Sequence, residues 1–271
     1  MHVKLSERLL LSADMVSPGA VVADVGCDHA HTCIWLVQQG IATHCIGMDV
    51  RRGPLDKAAA NLALYGCTDS VELRLSYGLD ELAPGEADTV IIAGMGGELV
   101  RDILERDRLT GRAAQTEPAP ILILQPHSHV WDVREWLVRN GYVITAENMC
   151  REDDKFYPVI RAQRPHDGTC VQDAARTDGQ TGETDDGTQS DMQRPLKAAC
   201  PPALDRTQIY FGPLLLAQRH PVLKEYLEIE YRKKKYLLEQ IDKSNTAEAS
   251  VKRAEVEGIL QLVEDALARI K

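Results

Sequence analysis

The segment Asp24-Val25-Gly26-Cys27-Asp28-His29-Ala30 gathers two further polar groups, Asp28 and His29, behind an acid and a glycine, directly after the apolar run Val21–Val25. Glycine there permits a tight turn that brings backbone close to the carboxylate-bearing end of a cofactor. About twenty residues on, Asp49 closes a second apolar run, where an acid can accept both hydroxyls of a ribose. Helix N-capping is the competing role for the same residue. Ala93-Gly94-Met95-Gly96-Gly97 closes another run, Thr89–Ala93. Its glycines leave room for a planar base, and a helix starting near Gly97 can offer N–H groups. Gln125, Pro126 and His127 follow Ile121–Leu124 and are expected at the same end of the sheet, although His127 also reads as an ordinary polar loop residue. The chemistry implied is the binding of a nucleoside cofactor. Cys27, His29, His31 and Cys33 alternate like metal ligands, but alternate residues across a helix start do not converge, so no metal site is expected.

Positioning these residues requires strands alternating with helices. Strands are expected at Val21–Val25, His44–Val50, Val71–Leu75, Thr89–Ala93, Ile121–Leu124, Tyr142–Asn148 and Phe156–Ala162. Helical spacing covers Leu5–Ala13, His31–Gln39, Pro54–Tyr65, Gly97–Arg106 and Val130–Asn140. The alternation predicts an α/β fold with a mostly parallel sheet. The last two strands lack an intervening helix, which predicts an antiparallel pair at one edge. Two longer helical patterns, 222–243 and 247–270, predict a C-terminal hairpin with a turn at Ser244-Asn245-Thr246. Its apolar stripes run through Leu223, Leu227, Tyr231, Leu237, Leu238 and Ile241, and through Val251, Val256, Ile259, Leu260, Val263 and Leu267. Arg232-Lys233-Lys234-Lys235 would form a basic outer face, whose plainer role is a solvated helix surface.

The chain has 271 residues, 44% hydrophobic and 5% aromatic, so its core is aliphatic. The formal charge of −10 excludes a globally basic nucleic-acid binder but leaves room for a local basic patch. Residues 1–163 carry a net −8, residues 164–206 a net −3 and residues 207–271 a net +1. The middle block is rich in Asp, Thr, Gly, Gln and Pro and is expected to be a disordered insertion. No apolar stretch of membrane-spanning length and no signal-peptide run occur, and seven cysteines without a CxxC pair fit reduced thiols. A cytoplasmic protein without metal or membrane attachment, and a monomer, is therefore expected.

Several segments occur in a telling order. They are Leu5-Ser6-x-Arg8-Leu9, Val22-Ala-Asp-Val-Gly-Cys-Asp-His-Ala30, Ile92-Ala-Gly-Met-Gly-Gly97, Leu122-Ile-Leu-Gln-Pro126, Arg134-x-Trp136-Leu137, Glu152-Asp-Asp-Lys-Phe-Tyr157 and Phe211-Gly-Pro-Leu-Leu-Leu216. Together they resemble the bacterial tRNA (adenine-22-N1)-methyltransferase family over 1–163 and 207–271. The resemblance implies a class I, Rossmann-like methyltransferase domain with a coiled-coil tail, S-adenosylmethionine as cofactor, tRNA as partner, and 1-methyladenosine as product. It implies cofactor contacts at Asp24, Gly26, Cys27, Asp49, Tyr77, Gly78, Ala93, Gly94 and Met95. Tyr77 stands where the family often has an acid, so ring stacking is expected there. Asp28 is the expected catalytic carboxylate, with His29 orienting it or the base. Arg8, Gly96, Gly97, Gln125, Pro126, His127 and Lys233, Lys234 and Lys235 are the expected substrate contacts, with an internal ion pair as the alternative for Arg8. A small-molecule methyltransferase, a non-catalytic binding module and a nicotinamide-dependent dehydrogenase are the rival readings.

Overall fold

The structure, a computed structural model, describes residues 2–106, 110, 119–165, 203–242 and 247–271. The expected insertion over 164–206 falls largely, and the expected turn 244–246 wholly, outside those residues. Seven strands form one sheet, in chain order β1 Ala20–Val25, β2 Ala42–Asp49, β3 Val71–Leu75, β4 Thr89–Met95, β5 Ile121–Pro126, β6 Val143–Glu152 and β7 Lys155–Gln163. Their spatial order is β3-β2-β1-β4-β5-β7-β6. The first five are mutually parallel, and β7 runs antiparallel to both β5 and β6. The β6–β7 turn needs only Asp153 and Asp154, both left-handed at φ +48° and +58°, which suits a two-residue hairpin.

Helices cover both faces, as βαβ crossovers require. On one face lie α1 Glu7–Ala13, α2 His31–Gln38 and α3 Arg52–Tyr65, with Val16, Ile34, Leu36 and Leu62 buried against Ile91 and Ile123. On the other lie α4 Gly97–Arg106 and α5 Val130–Arg139, with Val100, Leu104, Val133 and Leu137 buried against Val90, Ile92 and Leu124. The order reverses between β1 and β4, so the crevice at their carboxyl ends is where this architecture binds ligands.

The tail holds more than the expected hairpin. Two short helices, α6 Arg206–Phe211 and α7 Pro213–Ala217, precede α8 Pro221–Ile241 and α9 Ala247–Arg269. A capping box starts α6: Asp205 accepts from the Gln208 N–H at 2.9 Å, and Gln208 accepts from the Asp205 N–H at 2.9 Å. Phe211, Leu215, Leu227, Val263 and Ala266 form a third core that includes Met149 of β6, so the tail packs on the sheet edge. Val251, expected in the α9 stripe, is 74% exposed instead. Among the described residues no helix is long and apolar enough to cross a membrane.

Candidate active site

Two clefts open at the carboxyl ends of the strands and share Arg8 and Gly94. The first, about 530 Å³, is walled by the turns after β1, β2, β3 and β4. Gly26 and Cys27 donate their N–H groups to the Met48 carbonyl at 2.8 and 2.9 Å, which ties the β1 turn to the end of β2. Gly26 has φ +74°, which favours glycine, and a Cβ there would lie 2.3 Å from the Met95 Cε and displace that side chain in the cleft wall. Asp28 and Ala30 adopt the same left-handed conformation, at φ +49° and +59°.

Carboxylates line this cleft. Asp24 is buried, and desolvation pushes its carboxyl up to about 6, while a contact from the Cys33 thiol at 3.4 Å works in the opposite direction. Asp49 is also buried and accepts from the Arg51 N–H at 2.9 Å. That bond closes a turn ahead of α3, whose N-cap is Arg51 without a side-chain cap bond, so Asp49 does not cap the helix and its side chain faces the cleft. Asp28 is the exposed member, its side chain 64% accessible and 3.5 Å from the His29 Nε2. Burial and the neighbouring His29 hold the His31 imidazole below its usual range. Burial and the nearby Asp24 push the Cys27 thiol far up, so it stays protonated and packs as an apolar group.

Apolar side chains line the cleft as well. Val50, Tyr77 and Leu99 are 59, 42 and 42% exposed and line the cleft. The Arg106 guanidinium covers Tyr77 at 4.7 Å from the ring centroid. Gly78, at φ +58°, lets the chain pass the Ile103 side chain, which a Cβ would approach to 2.8 Å. Carboxylates, exposed apolar surface and glycine turns lining one cleft suit a cationic nucleoside. Among the described residues no three His, Cys, Asp or Glu side chains are placed to hold a metal, and Cys27, Cys33, Cys45, Cys67 and Cys150 are free and buried.

The second cleft, about 760 Å³, lies between the sheet domain and the tail. The sheet domain contributes His127, Trp131 and Tyr157 to its lining, and the tail contributes Tyr210, Tyr226 and Lys234. Arg8 stands at the junction, its N–H donating to Glu152 at 3.0 Å, its side chain 3.6 Å from the same carboxylate and its guanidinium over the Tyr157 ring. The internal ion pair is thus formed, and Arg8 still faces both clefts.

Asp24, Gly26, Cys27, Asp28, His29, Asp49, Tyr77, Gly78, Ala93, Gly94 and Met95 line the first cleft together. Five expected contacts, Gly96, Gly97, Gln125, Pro126 and Lys235, do not line either cleft. Gln125 is buried beneath α1, where its amide donates to the Arg8 carbonyl and the Ser12 Oγ; Pro126 is buried beside it. Gly96 and Gly97 face the β5–α5 turn. The Gly97 N–H is spent on the Ser128 carbonyl at 2.9 Å, and a Cβ there would come within 2.5 Å of two backbone oxygens, so no N–H is offered to a ligand from that residue. The lysines divide, because successive helix residues turn by about 100°. Lys233 and Lys234 reach Glu230 at 3.1 and 3.5 Å and line the second cleft, whereas Lys235 lies over the Tyr231 ring at 5.3 Å.

The sequence reading missed the ring-rich wall of the second cleft, because Trp131, Tyr157 and Tyr210 come from three distant segments. It also missed the buried pair of Arg134 on α5 and Glu147 on β6, 2.8 Å apart and 1% and 0% exposed. A lone acid within a strand pattern and an arginine on a helix face were the only signals.

The methyltransferase-domain family matches residues 5–160. The Bacillus subtilis tRNA (adenine(22)-N(1))-methyltransferase is 37% identical over 164 residues, which is 60% of this chain and 66% of that protein. In sequence the chain therefore spans a little under two thirds of the curated relatives it matches. The crystal structure of B. subtilis TrmK, the M1A22 tRNA methyltransferase, superposes with a TM-score of 0.76 at 26% identity, covering 98% of this chain and 100% of that one. A putative tRNA (m1A22) methyltransferase from Streptococcus pneumoniae, solved with S-adenosyl-L-methionine, gives 0.73 at 27% identity, covering 97 and 100%.

Proposed function

The chain belongs to the methyltransferase-domain family, and on that premise we propose that it transfers a methyl group from S-adenosylmethionine to N1 of adenine 22 in tRNA, giving 1-methyladenosine. The observation that carries this reading is the meeting of the two clefts at Arg8 and Gly94. A cofactor in the first and a base entering from the second come together there. Residues 1–163 act as the catalytic domain and 207–271 as the part that docks RNA. A tRNA substrate argues for a cytoplasmic location, and a monomer suffices because one chain supplies both clefts.

Within the first cleft Asp49 accepts the ribose hydroxyls, Val50 and Tyr77 cover the cofactor's adenine, and the Gly26–Cys27 turn with Asp24 holds the amino-acid end. Bound S-adenosylmethionine supplies an electrophilic methyl group on a sulfonium sulfur. Adenine N1 brings a lone pair in the ring plane, so the attack needs no base, and the chain's tasks are alignment and exclusion of water. Methylation at N1 would leave positive charge on the adenine. Asp28 accepts a hydrogen bond from the exocyclic amine and balances that charge, with His29 at 3.5 Å orienting its carboxylate. Gly94 and Met95 form the wall beside the base. N1 lies on the pairing edge, so adenine 22 must leave its stack to enter.

The test is transfer of labelled methyl from S-adenosylmethionine to a tRNA transcript carrying adenine at position 22, beside the same transcript with guanine there. Label on the adenine transcript alone is expected. Label on both places the methylated base elsewhere in the tRNA, and label on neither while the cofactor binds points to another substrate or to a binding module.

A further inference from the structure

Only the rim of the second cleft, at Arg8 and Gly94, belongs to the reacting centre; beyond it the wall changes character. Trp131 of α5 and Tyr210 of α6 lie ring on ring, centroids 5.5 Å apart and planes within 6° of parallel, and both are half-buried on the cleft wall. The position of Tyr210 is fixed from behind. Arg134 donates to the carbonyls of Ile209 at 3.2 Å and Tyr210 at 2.9 Å, while its partner Glu147 accepts from the Leu214 N–H at 2.9 Å.

In the same cleft Lys233 and Lys234 of α8 share a single carboxylate, Glu230, which leaves a net positive charge on that part of the lining. The lining as a whole has five Lys or Arg side chains (two of them, Arg8 and Arg134, paired with Glu152 and Glu147 outside the lining) against two Asp or Glu, in a chain of net charge −10. Flat rings and ammonium groups in one cleft match the two parts of an unpaired nucleotide, a π-face and a phosphate.

We propose that this cleft seats an unpaired nucleotide adjacent to the one being methylated, its base stacked on the Trp131–Tyr210 pair and its phosphate held by Lys233 and Lys234. The inference rests on the reading of the chain as a tRNA methyltransferase. It makes the tail a wall of the substrate site and not only a docking appendage.

The experiment measures affinity of the full chain for a labelled tRNA transcript, with Trp131→Leu and Tyr210→Leu beside Trp131→Phe and Tyr210→Phe. Transcripts made abasic at position 21 or 23 form the second arm. Each leucine variant is expected to bind tRNA roughly tenfold more weakly, with S-adenosylmethionine affinity and melting temperature unchanged, and each phenylalanine variant to keep most of the affinity. One of the two abasic transcripts should bind the unaltered chain more weakly by a similar factor and show no further loss with the leucine variants. Full affinity in the leucine variants, or losses that simply multiply, overturns the proposal. So does weakening by charge-removing lysine variants alone, which describes an electrostatic groove for any acidic partner. If the leucine variants do not fold, the abasic arm decides, and equal affinity for intact and abasic transcripts overturns it. Binding is read apart from methylation. A chain that binds tRNA through these rings without labelling adenine 22 refutes the proposed reaction, and one that labels adenine 22 without needing the rings refutes the seat.

Discussion

Asp24 lies on the floor of the first cleft with its carboxyl raised by burial to about 6, from an ordinary value of 3.8. In the window between those values the folded chain keeps a proton that the unfolded chain has released. Stability from this group is therefore lost as the pH rises from about 4 to 6, and at neutral pH the ionised carboxylate costs on the order of 3 kcal/mol. Asp24→Asn in the cofactor-free protein should then raise the melting temperature at pH 7 and raise it by only about a third as much at pH 4.5. Thermal melts of both proteins at the two values check this; a variant that melts lower at pH 7 refutes it. The cost is a functional one, since a cationic amino group beside Asp24 would restore the ionised state. Ala30 carries a second local cost: it is buried at φ +59°, a conformation that disfavours any side chain, so Ala30→Gly should stabilise the chain by about 1 kcal/mol in a denaturant titration. These two sites also mark what was legible at this scale. The sequence placed Asp28 and Ala30 where a glycine-rich turn has glycines, and both residues keep the glycine-like backbone. The direction of the Gln125 side chain was not legible, because strand alternation identifies a face but not which helix covers it.

At the scale of elements, apolar runs and helical spacing located all seven strands and the long helices, with ends shifted by a few residues. The alternation of β and α units is a local property and survives folding. What could not be read is held in place by tertiary contacts. Helices α6 and α7 are 6 and 5 residues long, too short to show periodicity or to persist alone. They are fixed by the Arg134–Glu147 pair, which satisfies backbone carbonyls of one and N–H groups of the other. Gly212 between them, at φ +95°, has no space for a side chain, since a Cβ would lie 2.7 Å from both Glu147 oxygens. Removing one member of such a pair strands a buried charge and costs about 3–5 kcal/mol. Glu147→Gln should therefore lower stability by that order in urea titrations and free α6 and α7 to exchange their amide protons. Retained protection of those amides would show that the apolar core of the tail suffices.

The whole molecule sets an acidic sheet domain, net −8 over residues 1–163, against a tail of net +1 that turns Lys233 and Lys234 to the cleft. A polyanion is repelled by most of the surface and finds its attraction between the two halves, so electrostatics would guide RNA into the cleft more than hold it. The division among the three lysines gives this a numerical consequence. Each ammonium that neutralises a phosphate contributes about one unit to the dependence of log affinity on log salt. Lys233→Gln and Lys234→Gln should each flatten that slope for tRNA by about one unit and weaken binding at low salt. Lys235→Gln should leave the slope unchanged, because Lys235 lies over Tyr231 and not on the cleft. Filter-binding titrations across a range of salt concentrations measure all three. An equal effect at Lys235 would place the RNA on the outer face of α8 and leave the cleft to the base alone.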